Sequence, residues 1–254
     1  MACKVSDVYS ILNEIAPFDT QMDFDNAGLL LGHPDAPVDC ILTALDATSG
    51  VVEEAKRVGA QLLVTHHPVF FRPVKRLVET DPEARNVCAL IRANIALIAA
   101  HTNFDMAEGG VNDALAEQLG WRVRERGELL RYGEFDEPVL LETLAEHAGK
   151  ALNAVVVSYG GAKRQITRWA ICSGAGGSEA AEAAENGAEL LVTGEIRHHE
   201  ALEAMERGMC VLEAGHFFTE FCAARQLQKH LQERLNALQY KVKVLASDVH
   251  PFQG

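Results

Sequence analysis

Gly59-Ala60-Gln61-Leu62-Leu63-Val64-Thr65 reappears later in the chain as Gly187-Ala188-Glu189-Leu190-Leu191-Val192-Thr193, with six of the seven residues identical. In each copy a glycine ends a helical pattern and a short apolar run forms a strand. The following strands also correspond. One ends in Ala100-His101-Thr102-Asn103-Phe104-Asp105, the other in Gly215-His216-Phe217-Phe218-Thr219-Glu220. Both are His-x-x-x-carboxylate, just past an apolar strand and ahead of a helix, at matched positions. Chance similarity of a helix-to-strand phrase can explain either match alone. Two matches in the same order point to a duplicated unit.

Outward from these copies, short apolar strands alternate with helical patterns. Strands are expected over 41–45, 62–65, 95–100, 154–158, 168–172, 190–193, 211–214 and 241–246. Helices are expected over 5–15, 50–58, 82–93, 111–119, 138–148, 178–186, 199–206 and 218–238. Parallel strands need crossover helices, so this alternation predicts an α/β protein with two related α/β halves and largely parallel sheets. The first half covers 1–120, with 238–254 returning to it. The polar span 121–137 reads as a connector, and the second half covers 138–237.

The 254 residues carry 23 Lys plus Arg against 36 Asp plus Glu, a net charge of −13. Broad nucleic-acid binding and peripheral attachment to anionic membranes are therefore disfavoured, since both need clustered basic residues. No stretch has the length of a membrane span or the apolar core of a signal peptide. The six cysteines form no C-x-x-C pair and sit mostly in apolar runs, as reduced thiols of a cytoplasmic protein do.

Ligands of open α/β sheets bind beyond the carboxyl ends of the strands. In this chain those ends carry His66-His67-Pro68, His101 with Asp105, Gly194-Glu195, and His216 with Glu220. Imidazole and carboxylate suit divalent Zn, Fe, Mn or Ni. One ion takes three or four ligands, so this set is too large for one and fits two. Two ions with a water between them form a common hydrolytic centre. A lone strand-end histidine is usually structural, but this many at related positions need a shared explanation.

Other features are less specific. His198-His199 opens a helix, where adjacent residues do not share a face. Ser173-Gly174-Ala175-Gly176-Gly177-Ser178 is either a tight strand-to-helix turn or a backbone cradle for phosphate. No Walker A sequence, G-x-S-x-G elbow or H-E-x-x-H is present.

Five motifs then occur in order: Asp25-Asn26-Ala27-Gly28-Leu29 with Gly32; Thr65-His66-His67-Pro68; His101-Thr102-Asn103-Phe104-Asp105; Thr193-Gly194-Glu195; and Ala214-Gly215-His216-x-x-x-Glu220. Together they resemble the Nif-three-like family, known as GTP cyclohydrolase I type 2 homologues, in its short bacterial form. The resemblance runs over essentially the whole chain. It implies a dinuclear metal site in the crevice between two α/β domains and a toroidal homohexamer. It also implies His66, His67, Asp105, His216 and Glu220 as metal ligands. His101 matches a histidine beside the metals, either a further ligand or a neighbour of one, and Glu195 is a candidate for the site wall. The function implied is a divalent-metal-dependent hydrolase acting on a small molecule. In the GTP cyclohydrolase-like version it opens a purine imidazole ring, with His101 or Glu195 moving protons. The alternatives are a non-catalytic metal-binding or regulatory protein and a phosphoesterase-type metallohydrolase.

Overall fold

A computed structural model describes residues 2–252. The chain forms two units: one runs up to Glu108 and resumes at Ala223, and the other spans Gly109–Cys222. The first unit holds α1 (Val5–Ile15), β1 (Gly28–Leu31), β2 (Cys40–Ala44), α2 (Ser49–Val58), β3 (Leu62–Thr65), α3 (Pro82–Arg92), β4 (Ala96–Ala99) and α4 (Thr102–Met106). The second holds α5 (Val111–Gln118), β5 (Glu125–Arg126), β6 (Arg131–Leu140), α6 (Leu141–Leu152), β7 (Val157–Tyr159) and β8 (Gln165–Cys172). It continues with α7 (Ala180–Glu185), β9 (Leu190–Thr193), α8 (His198–Glu206), β10 (Cys210–Glu213) and α9 (His216–Glu220). The chain then returns through α10 (Cys222–Ala237) and β11 (Lys243–Ala246).

The first sheet has the order β1-β4-β3-β2-β11, and the second β5-β6-β8-β9-β10-β7. In the first, β4, β3, β2 and β11 are parallel and β1 is antiparallel to β4. In the second, β8, β9 and β10 are parallel, with β7 antiparallel to β10 and β6 antiparallel to β8. The run β1-β4-β3-β2 thus has the same order and directions as β7-β10-β9-β8. Within these matched runs the duplicated phrase forms the middle one of the three parallel strands, β3 between β4 and β2 and β9 between β10 and β8.

Burial explains why these strands are apolar throughout. Leu62, Leu63 and Val64 are buried, as are Leu190, Leu191 and Val192, because helices cover both faces of each sheet. Successive residues serve opposite faces. Trp169, Ile171, Leu190 and Val192 pack with Leu141 and Leu144 of α6, while Ala170, Cys172 and Leu191 pack with Ala183 of α7 and Ala204 of α8. In the first unit, Leu42, Leu63 and Leu97 pack with Val51, Val52 and Ala55 of α2 and Leu90 of α3. Helix starts carry their own signals: the Thr48 hydroxyl accepts from Val51 N, and Asp81 caps α3 ahead of Pro82.

Several elements differ from the sequence expectation. The polar span 121–137 contains β5 and most of β6 rather than a plain loop, and the helix starts at Leu141, not Pro138. Pairing of β6 with β8 is interrupted between Glu134 and Val139. Pro138 lies in that gap, where its missing N–H costs no ladder hydrogen bond. Gly28–Leu31, absent from the expected strands, is an edge strand. The expected long helix over 218–238 is two helices, α9 and α10. Among the described residues no helix is long and apolar enough to cross a membrane, and none of the six cysteines is in a disulfide.

Candidate metal centre

The parallel strands β2, β3 and β4 end on one edge of the first sheet. Asp46 lies just past β2, His66 and His67 directly follow β3, and His101 lies just past β4. His66, His67 and His101 each bring one potential ligand nitrogen within 4.8 Å of the others. Each ring is also held from behind. His66 Nδ1 is 2.8 Å from Ala100 O, His67 Nδ1 is 2.7 Å from an Asp46 carboxylate oxygen, and His101 Nδ1 is 2.8 Å from an Asp25 carboxylate oxygen. These oxygens only accept, so Nδ1 carries the hydrogen and a neutral ring presents its lone pair at Nε2. Metal-binding histidines have this arrangement, in which a carbonyl or carboxylate fixes the tautomer and aims the ring. Asp105 completes the group: its carboxylate lies 3.5 Å from His66 Nε2.

Asp25 is itself firmly placed. It accepts from Thr102 Oγ1 at 2.5 Å, from Thr102 N at 3.0 Å and from Asn26 N at 2.6 Å. Burial pushes its carboxyl up, but hydrogen bonds from His101, Thr102 and Asn26 outweigh this and hold it down at about 2. Asp25 is therefore anionic at neutral pH.

The second unit offers a smaller set. His216 Nε2 lies 2.9 Å from Glu220 and His216 Nδ1 lies 3.4 Å from Glu195. Glu220 is buried, while Glu195 is exposed beside the histidine. Two glycines make room for this group. Gly174 has φ +58°, and a Cβ there would overlap the Glu220 carboxylate. A Cβ on Gly194 would stand 2.6 Å from both Gly174 O and Thr219 Oγ1, and 2.8 Å from His216 Cα. The Thr-Gly-Glu sequence thus lets the strand end run directly beneath α9.

The two His-x-x-x-carboxylate motifs are not at equivalent positions, contrary to the sequence expectation. Ala100 N donates to Thr65 O and Asp105 N donates to His101 O; in the second unit Ala214 N donates to Thr193 O and Thr219 N donates to Gly215 O. Matching these bonds pairs His101 with Gly215 and Asp105 with Thr219. His216 and Glu220 each lie one residue further on, about 100° further around a helix. Sequence comparison absorbs a one-residue slip without trace.

The remaining motifs have structural explanations. In the Ser173–Ser178 turn, Ser173 N donates to Asn112 Oδ1, Gly174 N to Thr219 Oγ1 and Gly177 N to Glu195 O. These amides are spent inside the unit, which favours the tight turn over a phosphate cradle. His198 and His199 are exposed at the start of α8. Two participants escaped the sequence reading: Asp46, and Asp25 as the carboxylate behind His101. Asp46 had a usable signal, since it follows the strand adjacent to the one ending in His66-His67.

The family described as Duf34/NIF3 (NGG1p interacting factor 3) matches residues 3–252. The chain belongs to the Duf34/NIF3 family. Its relatives include a Clostridium perfringens protein named GTP cyclohydrolase 1 type 2 homolog, 31% identical over 98% of this chain and 99% of its own length. A Clostridium acetobutylicum protein of the same name is 29% identical over 100% of this chain and 99% of its own. Among solved structures, a hypothetical protein of Staphylococcus aureus superposes with a TM-score of 0.92 at 29% identity, covering both chains in full. A Bacillus cereus protein related to NIF3 gives the same TM-score at 23% identity over 100% of this chain and 99% of its own, which speaks to the fold. The histidine cluster built on this Duf34/NIF3 fold can hold a metal ion.

Proposed function

We propose that this protein is a divalent-metal-dependent hydrolase with two metal ions per chain. Its ligands are His66, His67 and Asp105 from one unit and His216 and Glu220 from the other. The observation carrying this reading is the first unit's trio of histidines, each with Nδ1 committed to an acceptor. The donor set of neutral imidazole and carboxylate fits Zn, Fe, Mn or Ni. Such ions, when bound, polarise a substrate oxygen and lower the pKa of water.

The chain's own groups supply the rest. Asp46 and Asp25 hold the His67 and His101 rings in one tautomer. His101, partly exposed and held through Nδ1 by Asp25, is the first proton-transfer candidate. Glu195 is the second proton-transfer candidate, on the exposed side of His216. The substrate is a small molecule, and the relatives' name makes a purine nucleotide such as GTP the first to test. The protein is taken as a cytoplasmic homohexamer, as the family resemblance implies.

The test is to load purified protein with Mn²⁺, Fe²⁺ or Zn²⁺ and measure formate release from GTP. Release that is abolished in His66→Ala is the expected result. Bound metal without turnover on GTP, phosphoesters or cyclic amides would instead identify a metal-handling or regulatory protein.

A further inference from the structure

Beside the first unit's histidines lies an open cleft of about 380 Å³, lined by Phe24, Asp25, Asn26, Phe70, Phe71 and Arg72 among others. Two of these residues are conspicuous. Phe24 and Phe71 are 58% and 50% exposed, although burying such rings is normally favourable. They come from separate loops, yet their ring centroids are 6.0 Å apart at an interplanar angle of 47°. The loops are tied at this point: Asn26 Nδ2 donates to Phe70 O at 2.6 Å.

The cleft is physically continuous with the histidine cluster. Phe71 stands edge-on to His101, with centroids 6.1 Å apart. Asp25 both lines the cleft and holds His101 Nδ1. A flat ring resting on the phenylalanines would lie next to His101. Two exposed rings at an open angle offer one face for stacking and one edge for a T-shaped contact, both favourable geometries. Arg72 lines the same cleft and supplies a cation.

We propose that Phe24 and Phe71 form a stacking platform for a planar heteroaromatic ring of the substrate, with Arg72 receiving an anionic substituent. The inference rests on the proposed function, in that the ring is presented to the histidine centre. It adds what that reading lacks, a reason for the substrate to be aromatic and the residues that select it. Aromatic platforms of this kind bind bases through their π-faces and tolerate many ring sequences.

Guanosine 5′-monophosphate, guanosine and ribose 5-phosphate serve as probes, titrated by calorimetry into the full-length, Mn²⁺-loaded protein. Guanosine 5′-monophosphate is expected to bind at least about tenfold more tightly than ribose 5-phosphate, as stacking on an aromatic side chain allows. Phe24→Ala with Phe71→Ala should lose about tenfold for the nucleotide and leave ribose 5-phosphate unchanged, while Phe24→Tyr with Phe71→Tyr restores binding. Arg72→Gln should remove the advantage of the nucleotide over guanosine.

Equal binding of nucleotide and ribose phosphate overturns the platform, as does failure of the nucleotide to bind or wild-type affinity in the double alanine variant. A double alanine variant that changes only the oligomer size, read by light scattering, makes the aromatic pair a contact between copies and also overturns it. Metal content of the same samples reports separately on the metal-centre reading. A protein that holds metal but does not discriminate the ring refutes the platform alone.

Discussion

The two units end their middle strands with the same Leu-Leu-Val-Thr and then diverge. In the first, Thr65 is followed by His66 and His67; in the second, Thr193 is followed by Gly194 and Glu195. Strand register makes these positions equivalent. It also pairs Asp46 with Gly174, since Ala44 pairs with Thr65 and Cys172 with Thr193. Where the first unit places a carboxylate behind an imidazole, the second removes the side chain altogether and lets Glu220 approach. One scaffold thus carries an imidazole-rich set braced by two carboxylates and a backbone carbonyl, and a carboxylate-rich set seated on glycine. The duplicated sheet fixes where the strand ends point; the residues just beyond it decide what each edge can bind.

The comparison breaks most readily at the ligands. His67→Ala removes a braced imidazole from the richer set, and we expect metal affinity to fall by more than about a hundredfold, above the range for losing an orienting partner. Competition with a chromogenic chelator measures this. A loss smaller than that for Asp46→Ala would reverse the assigned roles.

Asp46→Ala leaves the ligands in place and removes the brace on His67. Affinity is expected to fall about 10–100-fold, with the protein still folded by circular dichroism. Unchanged affinity would mean that the Asp46–His67 contact does not orient the ring.

Gly174→Ala tests the glycine seat. The added methyl would meet Glu220, and φ +58° is strained for alanine. Urea denaturation should show a loss of about 1–3 kcal/mol. Wild-type stability together with wild-type metal binding would contradict a seat shaped for Glu220.

The smallest effect belongs to the exposed pair at the start of α8. His198→Ala with His199→Ala should change stability by less than about 0.5 kcal/mol and leave bound metal unchanged. Loss of metal would add these residues to the account.

The central strands were legible because four-residue apolar runs after a helix-ending glycine have one simple reading in an α/β chain. His66, His67, His101 and Asp105 were legible because strand ends concentrate chemistry, and the structure draws these four together. Asp46 was missed although its place just past the strand beside His66-His67 was readable, because a lone aspartate after a strand looks like any turn residue until its imidazole partner is known. Gly174 was hidden for the opposite reason. Its role is to be absent from the volume that Glu220 fills, and glycine in a Gly-rich turn has several competing explanations. β6 was hidden by Pro138 and a run of charges, since its irregular pairing lets a proline interrupt a strand that propensity rules reject. The one-residue slip between the His-x-x-x-carboxylate motifs is invisible without the hydrogen bonds that define their frames.

Both unlike sets are proposed to hold the same two ions. Metal content by elemental analysis, on wild-type protein and on His66→Ala and His216→Ala separately, tests this most directly. We predict close to two equivalents per chain in the wild type and a loss of bound metal in both variants, although His66 and His216 belong to different units. Retention of the full metal content in either variant would contradict it.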